Sequence, residues 1–429
     1  MKNGSGDLRA PLLLRRLSAC GAVLLLGVCG ISLILAQDAP AGRGGGARGA
    51  SGGRGAGGGG RAGLIRPPNV PNMAGTDSGN GPACEDLTTY GEVQPPGPPS
   101  VLYGPGATQT APPALMFASP VPAAANSILG FAGTPTRGTV IPDVPQLPYK
   151  FVEAPNPPRG TAGFANVNGV GLLKNGHLIV NQRLPMYELL EYDQSNRLLR
   201  NIDPNLISRP HGMRIDRDDN IWLTDQQCNM VVKVNPVGEV LMVLGTRGKA
   251  GTWDEARGDH LFNQPTDIAF APNGDVLVST GHGGPDPRIV RFDKNGKFIT
   301  TWSLHHADGS PATIHTLTVN SKGEVWAGDR EVSRIRVFDL NGKPVREIQM
   351  KNLICGLYVD SKDELWMTTG MDAMVLKLDW TGKVLGYIGK SGFGATDFGE
   401  AHYMTMSPDL KTMFVGDTVN NNIKKLQLN

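Results

Sequence analysis

The sequence predicts an all-β fold, a six-bladed β-propeller over residues 148–429, and three observations carry that reading. Six short strands, HLIVNQ, NIWLTD, DVLVST, EVWAGD, ELWMTT and TMFVGD, align with Ile179, Trp222, Leu277, Trp326, Trp366 and Phe414 in one column. Polar turns such as DRDDN, APNG, NSKG and DSKD precede these strands, and second runs with their own turns follow (VVKVNPVGEV, RIVRFDKNGKF, RIRVFDLNGKPV, VLKLDWTGKV). The unit recurs at roughly 40–55 residues without a helical period, which fits a propeller blade and excludes a leucine-rich or helical solenoid. The last repeat ends at Leu426-Gln427-Leu428, short of an outer strand, so Tyr149-Lys150-Phe151-Val152 is expected to supply it and close the ring.

Ahead of the propeller the texture differs. Arg9, Arg15 and Arg16 precede an uncharged apolar run from Leu17 to Ala36, which reads as an export signal with a cleavage point after Ala36. A run of 20 residues is also long enough to stay as a membrane anchor. Residues 1–36 are thus expected to be a signal peptide or anchor, and the protein to be exported, periplasmic or extracellular. Membrane contact is expected only through a retained anchor. Residues 37–147 are rich first in Gly, Ala and Arg and then in Pro, with little to bury, and read as a mostly disordered linker. The 41 Lys and Arg nearly balance 39 Asp and Glu, for a net charge of +2, which argues against a nucleic-acid partner. Of five cysteines, Cys20 and Cys29 lie in the leader. Cys84, Cys228 and Cys355 remain, an odd set that reads as small buried thiols, with a Cys228–Cys355 bridge as the alternative.

All eight histidines follow residue 170. Eleven places before each column residue, where the innermost strand of its blade begins, stand Asn168, His211, Thr266, His315 and Cys355; in the last blade His402 stands at twelve. Histidine therefore occupies this position in the second, fourth and sixth blades. Alternate blades of a six-fold ring are related by about 120°, so the three imidazoles should converge on the axis. Three imidazoles with an open fourth position suit one catalytic zinc ion, and iron, copper or cobalt accept the same donors. The alternative is that each is a satisfied channel histidine.

A second column lies where the next strand leaves the same end of the blade. After Asp225, Asp329 and Asp417, and after Gln182, come Gln226, Arg330, Thr418 and Arg183. Arg183 and Arg330 are expected at the channel mouth, where a guanidinium can grip a substrate carboxylate through two hydrogen bonds. For both arginines the alternative is a structural salt bridge with a neighbouring Asp, although the residue before Arg183 is Gln182. The Asp residues are expected to cap backbone. His282, in Ser279-Thr280-Gly281-His282-Gly283-Gly284, is a candidate general base, a fourth ligand or a polar loop residue. His177, His260, His305 and His306 fall in turns and are expected at the surface.

From about Asn166 onward these motifs resemble the peptidyl-α-hydroxyglycine α-amidating lyases and their bacterial relatives among the NHL-repeat propellers. The stretches that carry the likeness are Arg209-Pro210-His211-Gly212-Met213, Gln264-Pro265-Thr266-Asp267, Ile314-His315-Thr316-Leu317, Gly328-Asp329-Arg330-Glu331 and Val415-Gly416-Asp417. The resemblance implies a lyase that cleaves the C–N bond of a peptide ending in α-hydroxyglycine, giving an amide and glyoxylate. It implies zinc on His211, His315 and His402, with Arg183 and Arg330 at the active site. The expected partner is a small-molecule or peptide substrate that carries a carboxylate. Thr280-Gly281-His282 stands where the family has its catalytic tyrosine, Glu400, a candidate extra ligand or base, replaces a methionine, and Tyr403 replaces an aspartate that binds structural calcium. No calcium site is expected. Two other readings compete: a lactonase-like propeller hydrolase, and a non-catalytic NHL-repeat module that grips protein or glycan.

Overall fold

Each blade turns on side chains that take over the work of backbone hydrogen bonding. Asp193, Asn235, Asp293, Asp339 and Asp379 each accept two backbone N–H groups, from residues two and four places on. Such Asx turns tighten further where the third residue enters the left-handed region, as glycine does at Gly238 (φ 89°) and Gly382 (φ 88°). Trp222 and Trp366, from the aligned column, donate their indole N–H to Asp216 and Asp360 in the preceding turns, at 2.9 and 2.8 Å.

These turns link six four-stranded antiparallel sheets. The computed structural model describes residues 84, 140–158, 163–164, 166–183, 188–203, 207–282 and 286–429. The expected leader, its cleavage point and nearly all of the Gly- and Pro-rich linker lie outside them. Blades 1 to 5 run over 167–201, 210–245, 265–303, 314–349 and 356–388. Blade 6 combines 401–428 with the strand Tyr149–Val152, which pairs antiparallel from Tyr149↔Leu428 to Val152↔Lys425. The expected closure is thus formed. Before it, Leu147 donates its backbone N–H to Tyr387 of blade 5 at 2.9 Å.

The core is divided among the junctions between blades, with an apolar cluster at each of the six. Phe414 and Ile423 of blade 6 pack against Val167 and Leu178 of blade 1, so the last junction is as apolar as the others.

The cysteines correct the sequence reading. Cys84 is bonded to Cys228, 144 residues away, and Cys355 is the buried free thiol. Cys228 is in reach because Asp225 accepts its backbone N–H at 3.0 Å, which holds the turn after the second strand of blade 2.

Candidate metal centre

The inner strands present their second residue to the axis, and a local irregularity helps to explain why. The pairing register shifts at Pro210/Met213, Ile314/Thr316 and Ala401/Met404, each step enclosing one of His211, His315 and His402. A bulge of this kind re-aims a side chain out of the pleat. All three imidazoles are buried, and one ring nitrogen from each lies within 4.8 Å of the others. His211 Nε2 and His315 Nε2 are 3.1 Å apart.

The opposite ring nitrogens have backbone partners. His211 Nδ1 meets Thr266 O at 2.8 Å, His315 Nδ1 meets Cys355 O at 2.6 Å, and His402 Nδ1 meets Asn168 O at 2.7 Å. Each histidine thus reaches the aligned residue of the following blade, and the three positions without histidine serve as acceptors. A carbonyl can only accept, so Nδ1 carries the proton and Nε2 keeps its lone pair. Burial pushes all three far below the usual imidazole range, helped by neighbouring histidines and by Arg183 or Arg330. Neutral rings with three lone pairs turned together repel one another unless a cation lies between them. Fixed Nδ1–H groups behind nitrogen donors are also the usual outer support of a metal site, so the residues present could hold a metal ion.

His282 lies beside this group, its ring 4.9 Å from His211 and 5.2 Å from His315. It is half-buried, and its pKa is lowered to about 3, by burial first and then by Arg330, Arg183 and Arg209. Among the described residues only the three aligned histidines share the 4.8 Å spacing; His282 and Glu400 stand outside it. Arg183 donates from Nε to Asn166 Oδ1 at 2.6 Å. Arg330 is buried and forms an ion pair with Glu331 at 3.1 Å. The aspartates of this column do cap backbone: Asp225 accepts from Ser208 and Arg209, Asp329 from Thr313, and Asp417 from Gly399 and Glu400.

Two further arginines, Arg209 and Arg214, were given no role from the sequence. Arg209 adds a third guanidinium to the field at His282, and its position two residues before His211 was the available signal. Beneath the histidines, Arg214 of blade 2 donates to Asp267 of blade 3 through Nε at 2.9 Å and a terminal nitrogen at 2.6 Å. The same guanidinium reaches Leu357 O of blade 5 at 3.0 Å and lies 5.0 Å from the Tyr403 ring of blade 6. Tyr403 donates its hydroxyl to His315 O at 3.0 Å. Side chains thus bridge the channel on that side of the centre. His306, expected at the surface, is half-buried and meets Asp329 Oδ2 at 2.8 Å.

Fold and site define a six-bladed propeller with a three-histidine centre on its axis. In sequence the chain is similar to the amidating enzymes over part of its length. It is 35% identical over 172 residues to peptidylglycine alpha-amidating monooxygenase of Rattus norvegicus, over 38% of this chain and 17% of that protein. It is 25% identical over 202 residues to a probable peptidyl-alpha-hydroxyglycine alpha-amidating lyase of Caenorhabditis elegans, over 41% of this chain and 56% of the relative. The chain therefore spans less than two thirds of either protein. No family model matches. A solved streptogramin B lyase aligns at TM-score 0.49 and 16% identity, over 66% of this chain and 98% of its own.

Proposed function

We propose that this chain is an exported, metal-dependent C–N lyase that acts on a small α-hydroxyglycine-type carbinolamide and releases an amide and glyoxylate. One observation carries the reading: three neutral imidazoles, each fixed through Nδ1, converge beside a mouth furnished with arginines. His211, His315 and His402 would hold the ion, and when bound it supplies Lewis acidity to a substrate oxygen. Arg183 and Arg330 hold the substrate carboxylate. His282 remains neutral at ordinary pH, so its lone pair is available to the substrate hydroxyl proton. As that proton leaves, the O–H electrons form the aldehyde C=O, the C–N bond breaks, and the amide nitrogen takes up a proton. The bridge formed by Arg214 and Tyr403 favours entry from the arginine side. A lactonase-like site would centre on carboxylates, and among the described residues the axial group is made of imidazoles.

The test is to measure bound metal on the purified chain and glyoxylate release from an α-hydroxyglycine peptide, with and without chelator. Stoichiometric metal and chelator-sensitive glyoxylate are expected, and both should be lost in His315→Ala. A folded protein that takes up no metal removes the enzyme reading. Metal without glyoxylate removes the reaction.

A further inference from the structure

Glu400 is 4% exposed and lies two residues before His402, at the mouth end of blade 6. Its position is fixed twice: its backbone N–H is accepted by Asp417 Oδ1 at 3.0 Å, and its Oε2 takes the hydroxyl of Thr418. Its Oε1 has no hydrogen-bond partner among the described residues, and the carboxylate lies outside the metal-ligating group. Gly370 packs closely on that side. A Cβ there would stand 3.7 Å from Glu400 Oε1 and 3.4 Å from Cys355 Sγ. Oε1 is not fully enclosed, so it can take a donor from outside the protein, a ligand or water.

The charges around the mouth indicate which part of a ligand supplies it. Arg183, Arg209 and Arg330 belong to blades 1, 2 and 4, whereas Glu400 is on blade 6, across the ring from His282 of blade 3. A substrate carboxylate is drawn to the arginines, which stand on blades other than blade 6. The other end of a carbinolamide, its amide nitrogen, is then left facing blade 6.

We infer that Glu400 Oε1 accepts the N–H of the leaving amide, so that the site selects carbinolamides whose nitrogen carries a hydrogen. This rests on the lyase reading for its substrate class. The role requires only an acceptor oxygen, whatever the protonation of the carboxyl group.

Binding tests it without turnover. N-benzoylglycine and N-benzoyl-N-methylglycine share the carboxylate and lack the hydroxyl needed for cleavage, and they differ in the N–H. Titration calorimetry on the full metal-loaded chain should show the N–H compound bound about threefold to tenfold more tightly, as expected for one hydrogen bond. Glu400→Met should bring the two affinities together, Glu400→Gln should keep much of the preference through its amide oxygen, and Thr418→Val should weaken it. Thermal melts establish that each variant is folded. An unchanged preference in folded Glu400→Met overturns the inference, as does failure of wild type to distinguish the compounds. Glyoxylate release from N-benzoyl-α-hydroxyglycine is measured in parallel. Its absence alongside an intact N–H preference removes the reaction and leaves Glu400's contact standing.

Discussion

His211, His315 and His402 differ from the other histidines in what stands behind them. Their Nδ1 partners lie 55, 40 and 234 residues away in sequence, so no local pattern reveals them. The positions themselves were legible because the repeat supplies a common origin from which to count. Arg183 and Arg330 were singled out by the same count and His282 by its glycine-flanked loop, whereas Arg330's pairing with Glu331 depends on side-chain direction, which counting does not give. Neutral buried histidines have a measurable consequence. In the unfolded chain they titrate near pH 6.5, and in the fold well below it. Between those values the unfolded state binds more protons, so stability is full above about pH 6.5 and declines as the pH falls. The unfolding free energy of metal-stripped protein in urea should fall as the pH drops from about 7 to 5, approaching a slope of about 1.4 kcal/mol per pH unit for each histidine that stays neutral. An unfolding free energy independent of pH would contradict the assigned proton positions.

At the scale of strands, the inner ones do more than present ligands. Arg214 ties blade 2 to blades 3 and 5 and packs on blade 6, and Tyr403 ties blade 6 to blade 4. Asp267 anchors this bridge with zero exposure and also accepts from Thr316 Oγ1 at 2.8 Å. Replacing Arg214 by Met leaves that carboxylate buried without its main cation, which should cost about 3–5 kcal/mol in denaturant unfolding. Tyr403→Phe removes one hydrogen bond and should cost about 1 kcal/mol. Equal, small losses in the two variants would mean that Asp267 finds other partners. From sequence, Tyr403 was visible only as the residue in place of an aspartate. Its contact with Arg214 joins residues 189 positions apart, which repeat alignment within a blade cannot show.

Across the whole molecule, strand order, blade number and the closing strand at Tyr149–Val152 were all legible, because each follows from a period and its shortfall. The Cys84–Cys228 bridge was not, since one partner lies in a segment without repeat or periodicity. Closing a chain loop of 144 residues restricts the unfolded state, so Cys84→Ser should lower stability by about 2–5 kcal/mol under oxidising conditions and by nothing once wild type is reduced. Deleting Tyr149–Val152 exposes the edge of blade 6 along Lys425–Leu428, and self-association in light scattering is the expected result. The alternation around the axis also sets a rule of parity. Each histidine donates to the next blade, and each accepting blade is followed by a histidine. Such two-colouring closes only on an even ring. A chain that gained or lost one repeat would bring two like blades side by side, so this centre constrains repeat number to change in pairs.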